Sequence, residues 1–339
     1  MGGGGHNPTL FDQMVSAENL FAAWDRFAKG KRRRPDVQEY GRNVEDRLFA
    51  LRDRLASGEW LHGPYERMTV CDPKPREIHK AAVEDRIVHH AVVRAIEPLF
   101  DRGFVFDSWS CRVGKGTVAA VERCHRLLER ESRNGKVPLF ALKCDIRKCF
   151  ASLDHEVLLR LLGRRVRDER AMALLREIVG SFSPGVPLGN LTSQLFANVY
   201  LDPLDHFIRE RLRPPVYLRY SDDFIVVGDG RRLAAILASV RSFVGRELRI
   251  ELHPRKCVVR KYQDGIDWLG HVLYPGYRVL RPTTRRRVFR NLDANVWALI
   301  DGEISREWFQ SVCASYDGLL RGGWNGSGRD KLMGVWTEF

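Results

Sequence analysis

The chain has 339 residues, enough for a large core and two or three subdomains, and its 56 Lys and Arg against 43 Asp and Glu give a net charge of +13 and a pI near 9.6. That excess points to a polyanionic partner, because each phosphate neutralised by a basic side chain releases counterions. No apolar run of roughly eighteen residues and no signal-peptide pattern is present, which argues against a membrane span or export, and seven cysteines without a Cys-x-x-Cys pair argue against a disulfide framework or a zinc site and for reduced thiols in a cytoplasm.

After a glycine-rich start, Leu20, Phe21, Trp24 and Phe27 fall at helical spacing and predict a helix over 16–27. The basic run Lys29-Gly30-Lys31-Arg32-Arg33-Arg34 follows, either a solvated loop or a phosphate contact. Val44, Leu48, Leu51 and Leu55 predict a second amphipathic helix over 43–55. Residues 65–80 read as two short strands around a turn bearing Pro73, Lys74, Pro75 and Arg76. A helix over 84–96 buries Ile87, Val88, Ala91, Val92 and Ala95; its His89 and His90 are adjacent, so they point apart and are taken as structural. Residues 110–117, with Arg112, Gly114, Lys115 and Gly116, are not a P-loop: Trp109 stands where the first Gly belongs and Gly116 where Ser or Thr is required. A Gly-rich basic loop of this kind can still cradle a nucleic-acid backbone.

The chemistry concentrates at two places. An apolar run over 137–145 ends in Asp145, and a helical pattern with Asp154 as its N-cap starts shortly after. Further on, Tyr217-Leu218-Arg219-Tyr220 and Phe224-Ile225-Val226-Val227 read as strand, tight turn and strand, with Asp222 and Asp223 at the turn. Taken alone, the acid pair is equally a solvated turn or a site for a divalent cation, which would relieve the repulsion of adjacent carboxylates. Asp145 favours the second: two strands that each end in Asp can lie side by side in one sheet, as a site for two metal ions requires.

Asp145 with Phe150, and Tyr220-Ser221-Asp222-Asp223, resemble motifs A and C of reverse transcriptases. The resemblance covers about 65–275, with motifs in the proper order. It implies an α+β, right-hand polymerase fold: an N-terminal helical extension over 1–64, fingers over 65–138, a palm with an antiparallel sheet over 139–281 (fingers helices interleaved near 153–183) and a helical thumb over 282–339. It implies that Asp145, Asp222 and Asp223, with the Ile146 backbone carbonyl, hold two Mg²⁺ ions, which Mn²⁺ can replace. Lys74 and Arg76 would grip the dNTP triphosphate, Phe150 would be the steric gate against a 2′-hydroxyl, Arg112 and Lys115 would contact template, and Lys256 would be the general acid for pyrophosphate. Trp268 and Gly270 would form the primer grip, and Arg286, on a basic amphipathic helix with Arg285, Arg287 and Arg290, would track the RNA/DNA duplex.

The block Gly185-Val186-Pro187-Leu188-Gly189-Asn190-Leu191-Thr192-Ser193-Gln194 leads into a helix with a stripe of Leu195, Val199 and Leu204. Most reverse transcriptases have Gln-Gly and Ser-Pro here; Leu188 and Gln194 depart from that and resemble the enzymes of diversity-generating retroelements. Leu188, Gly189 and Gln194 are therefore expected beside the dNTP. An aliphatic Leu188 cannot hydrogen-bond as Gln would, and specificity built on such bonds goes with them. The resemblance implies a cytoplasmic RNA-directed DNA polymerase, bacterial, archaeal or phage-encoded, error-prone at template adenines and working with an oligomeric accessory variability determinant. An antiphage-defence or retron-like reverse transcriptase is the alternative; a non-catalytic RNA-binding scaffold is the alternative of another class. The short stretch after the basic helix of the thumb is expected to leave no room for a maturase, endonuclease or RNase H domain.

Overall fold

The computed structural model describes residues 7–71 and 75–321. In chain order its helices and strands are α1 (Leu10–Val15), α2 (Ala17–Ala28), α3 (Pro35–Gly41), α4 (Val44–Ser57), β1 (Glu66–Cys71), β2 (Pro75–Lys80), α5 (Val83–Asp101), α6 (Thr117–Glu131), β3 (Phe140–Asp145), α7 (His155–Leu162), α8 (Glu169–Gly180) and α9 (Leu191–His206). They continue as β4 (Val216–Tyr220), β5 (Asp223–Gly228), α10 (Gly230–Glu247), β6 (Val258–Lys261), β7 (Ile266–Trp268), β8 (His271–Tyr274), β9 (Tyr277–Leu280), α11 (Pro282–Ile300) and α12 (Arg306–Arg321). The class is the expected α+β, with every sheet antiparallel. Two compact units form: one from the chain up to Val105, Ile146–Phe207 and Arg241–Leu252; the other from Phe106–Asp145, Ile208–Val240 and the chain from His253 onward.

The first unit is mainly helical. Its helices start where the local chemistry supplies caps: the Ser16 hydroxyl accepts the Asn19 N–H at 3.1 Å, and Asp154 accepts the Val157 N–H at 3.0 Å, as the sequence predicted for that position. α4 stops at Gly58, whose φ of +81° is open to glycine at little cost. α5 packs against α2 and α9. α9 departs from expectation. Besides Leu195, Val199 and Leu204 it buries Thr192, Ser193, Phe196, Ala197, Asn198, Tyr200 and Asp205, so it is a helix enclosed nearly all round rather than one with a single apolar stripe.

The second unit is built on a sheet of strand order β4-β5-β3-β6. Phe224 to Val227 are fully buried, which suits the unbroken apolar run of β5. α6 lies on the sheet, joining Ala120, Val121, Cys124, Leu127 and Leu128 to Ala141, Leu218, Ile225 and Val227 in one core. A second sheet, β7-β8-β9, adds Trp268 and Leu273 to that core. α11 and α12 share a smaller cluster of Leu292, Phe309 and Cys313 with Leu280. Among the described residues, no helix is long and apolar enough to cross a membrane.

Candidate active site

The acids assemble on the second unit. β3 and β5 pair so that Asp145 lies directly opposite Asp223, and β4 and β5 pair so that Tyr220 lies opposite Asp223. Directly opposed residues in an antiparallel pair have Cα atoms about 4.5–5.5 Å apart. Ser221 and Asp222 form the turn, with Ser221 in the left-handed region at φ +56°. The side-by-side strands expected from the sequence are thus present, and Asp145 stands beside the tandem acids.

Lysines answer the carboxylates. The loop after α10 is tied down where the His253 N–H donates to the Asp145 carbonyl at 2.7 Å, and the Lys256 N–H donates to the His253 carbonyl at 3.2 Å. Lys256 Nζ then reaches both Asp145 carboxylate oxygens at 2.9 Å. Lys143, two residues before Asp145, places Nζ 3.3 Å from Asp223 Oδ2. The other oxygen, Asp223 Oδ1, is buried and has no hydrogen-bond partner among the described residues. Burial pushes the Asp223 carboxyl up to about 6, Lys143 opposes this, and Asp145 and Asp222 add to it.

Among the described residues, no three His, Cys, Asp or Glu side chains converge as a ready metal cage. Lys256 engages both oxygens of Asp145 instead, and its ammonium marks that carboxylate as a seat for positive charge. An all-carboxylate donor set is the kind a hard divalent cation takes. With an orphaned oxygen on Asp223, these residues fit such an ion.

The other expected residues are distributed as follows. Arg112 donates from Nη1 to the Ser108 carbonyl at 3.0 Å. Lys115 Nζ hydrogen-bonds the Phe106 carbonyl and lies 4.2 Å and 4.6 Å from the ring centres of Phe106 and Trp109. Trp268 is 0% exposed, so its indole anchors the β7–β8 turn from within. Gly270 shapes that turn at φ +82°, and its carbonyl accepts the Arg281 N–H at 2.9 Å at the start of α11. Arg286 is exposed on α11.

In the first unit, Leu188 accepts the His79 N–H of β2 at 3.0 Å. Gly189, at φ +116°, leaves no room for a side chain, since a Cβ would stand 2.8 Å from Ile78. Gln194 lines a cavity of about 220 Å³ with Lys31, Arg86, His89 and Asn190. Phe150 lies in a short 3₁₀ turn, Cys149–Ser152, and its carbonyl accepts the Val186 N–H at 2.9 Å. Ile146 forms an isolated bridge with Leu252. Arg76 is exposed on β2 opposite Val70; Lys74 lies outside the described residues.

Sequence reasoning missed a buried polar chain in this unit. His62 and His89 meet through their Nε2 atoms at 3.1 Å, His89 Nδ1 meets the Thr192 hydroxyl at 2.8 Å, and Asp85 accepts the Gly63 N–H at 3.2 Å. Burial first, then His62 and His90, push His89 down to about 3, which keeps it neutral. It also missed Lys143, whose spacing of two from Asp145 on one strand puts both on the same face.

Among solved structures, the telomerase of Candida albicans in complex with a TWJ fragment of telomeric RNA superposes with a TM-score of 0.51 at 13% identity, covering 66% of this chain and 46% of that one. At that identity the likeness speaks for the polymerase fold alone. Among curated proteins, YkfC of Escherichia coli is 28% identical over 76% of this chain and 81% of its own length. The group II intron-encoded protein LtrA of Lactococcus lactis is 22% identical over 72% of this chain and 51% of its own, so the chain spans about half of that relative. The model of the reverse transcriptase (RNA-dependent DNA polymerase) family matches residues 72–273, well over half of the sequence and all of the acid site, and the chain belongs to that family of RNA-directed DNA polymerases.

Proposed function

We propose that Asp145, Asp222 and Asp223 hold two divalent cations, Mg²⁺ or Mn²⁺, and that the chain extends a primer on an RNA template from dNTPs. The observation that carries this is the strand register that sets Asp145 against Asp223 at a turn bearing Asp222. Bound cations would supply charge neutralisation at the phosphoryl group and a lowered pKa at the primer hydroxyl. The chain's own residues orient and protonate. Asp145 and Asp223 fix the carboxylate pair from neighbouring strands, and Lys256, which carries the proton on Nζ beside Asp145, donates it to the leaving pyrophosphate. Phe150 screens the sugar, and Arg76 with Lys74 binds the triphosphate through charge-assisted hydrogen bonds. Arg112, Lys115, Gly270 and Arg286 hold template and primer, with Trp268 supporting the turn from the core. In this reading 65–138 are fingers, 139–281 palm and 282–339 thumb. Asp222→Ala should abolish Mg²⁺-dependent dNTP incorporation while template RNA still binds; an active variant refutes the assignment.

We read the subtype as a diversity-generating retroelement enzyme, supported by Leu188 and Gln194, with an accessory variability determinant as its partner. The likeness to LtrA favours a second reading, a polymerase of the group II intron-encoded type without an adenine-directed error bias. Sequencing the cDNA separates them. The first reading expects errors concentrated at template adenines and reduced by Leu188→Gln; a flat error spectrum, unchanged in that variant, selects the second.

A further inference from the structure

The second unit buries a whole arginine. Arg219 of β4 is 0% exposed, one of the largest side chains so enclosed. A guanidinium taken out of water must be met by fixed acceptors, or the fold loses several times what an ordinary polar contact supplies. The acceptors identify what the side chain holds. Nη1 donates to the Ser221 carbonyl at 3.0 Å, the residue immediately before Asp222. Nη2 donates to the Ser108 hydroxyl at 3.0 Å.

Ser221 has φ +56°, a left-handed conformation that a non-glycine residue holds only when its surroundings enforce it. The bond from Arg219 to the Ser221 carbonyl is such an enforcement. At the other end, 107–109 run along the outer edge of β4: the Arg219 N–H donates to the Asp107 carbonyl and the Trp109 N–H to the Arg219 carbonyl, both at 2.9 Å. Ser108 is itself fully buried, and its carbonyl accepts from Arg112, a residue of the basic loop. Asp107 is pinned in turn by Arg123 of α6 at 3.1 Å. One buried side chain thus bridges the basic loop 106–116 and the turn that carries the acid pair.

We infer that Arg219 is a positioning residue: it sets the Ser221–Asp222 turn for phosphoryl transfer and makes that setting depend on the loop that contains Arg112 and Lys115. The inference rests on Asp222 and Asp223 being the catalytic acids. Arg is suited to the task because its planar fork serves two acceptors from separate nitrogens in fixed directions; the three donors of Lys share one nitrogen at the end of a flexible stem and cannot reproduce that geometry. Displacing reacting groups by about an ångström costs on the order of a hundredfold in rate. Arg219→Lys should therefore lower kcat for single-nucleotide extension about 100-fold, with the Kd for template–primer and the KM for dNTP within about twofold of the parent, a split that loss of fold alone would not give. Ser108→Ala, which removes one acceptor and leaves the charge, should lower kcat about tenfold. Val121→Ala, a cavity in the same core, gives a destabilised control with kcat unchanged per folded molecule.

Active-enzyme concentration is set by titration with template–primer, and folding is followed by thermal melting. If Arg219→Lys fails to fold, Ser108→Ala decides. Kcat within threefold of the parent in the deciding variant, or a loss confined to template affinity, overturns the inference. Asp222→Ala run in parallel separates the two levels: an active Asp222→Ala overturns the site assignment itself, whereas an inactive Asp222→Ala beside a normal deciding variant overturns only the role of Arg219.

Discussion

Gly185→Ala tests how tightly the turn before α9 is locked onto the segment holding Phe150. Gly185 has φ +71°, and a Cβ built there stands 2.2 Å from the Phe150 carbonyl oxygen and 2.6 Å from the Ala151 carbonyl carbon. Those are backbone atoms, so no side-chain rotation relieves the clash. The left-handed conformation costs alanine about 1 kcal/mol; parting the segments loses the Val186 N–H to Phe150 carbonyl bond, about 1 kcal/mol; and overpacking adds about 1–3 kcal/mol. The sum, about 3–5 kcal/mol, corresponds to a melting temperature lower by roughly 6–20 °C for a cooperative unit of 150–250 residues. Gly180→Ala, at the end of α8 with nothing within 4 Å of the added Cβ, is the paired control and should be neutral or raise stability by about 0.5 kcal/mol. Thermal melts of the two variants and the parent decide it. If Gly185→Ala melts within 2 °C of the parent, the backbone contact is not as close as described and the reasoning fails.

The buried imidazole of His89 should leave a mark on pH dependence: its folded value, about 3, lies below its ordinary 6.5, so the unfolded chain takes up the proton first and stability is lost as pH falls below about 6.5. His89→Gln should flatten the decline of the urea midpoint between pH 7 and pH 5, and parallel declines in parent and variant would rule out the assignment. Asp168 caps α8 by accepting the Arg170 and Ala171 N–H groups at 3.0 Å and 3.2 Å, and it accepts the Phe11 N–H of α1 at 2.8 Å. Asp168→Ala should cost about 1–2 kcal/mol in chemical denaturation, and a loss under about 0.5 kcal/mol would show that these bonds are replaced by water.

The periodic segments were legible and the closures between them were not. The helices predicted over 16–27 and 43–55 emerge as α2 and α4 because their apolar residues recur every third or fourth position, and that repeat encodes a buried face. α5 runs five residues past its predicted end, because Phe100 at its far end is buried like its core-facing positions. α6 begins where the basic loop over 110–117 ends and carries no sequence prediction, although its charged residues are interleaved with a clean stripe of Ala120, Val121, Cys124, Leu127 and Leu128. α9 misled in the opposite sense: Thr192, Ser193 and Asn198 look solvent-facing by type, yet all are buried, and Thr192 is matched by His89. That pairing joins residues 103 positions apart, and no local pattern encodes it.

The acid site shows why one part of a centre can be read and another cannot. Asp145 and Asp223 each end or begin a β-run, and a period-two pattern fixes their register once the strands pair. Lys256 stands in a loop with no such pattern. Its position follows from two backbone bonds, His253 N–H to the Asp145 carbonyl and Lys256 N–H to the His253 carbonyl. The first ties the loop to the same residue whose carboxylate the ammonium then meets, so the lysine's placement depends on the end of β3. Moving Asp145 in register would move both the acid and the anchor of its counter-charge. The ends of the two central strands therefore carry carboxylates that lysines meet, Asp145 by Lys256 and Asp223 Oδ2 by Lys143, while Asp223 Oδ1 is buried with no hydrogen-bond partner among the described residues.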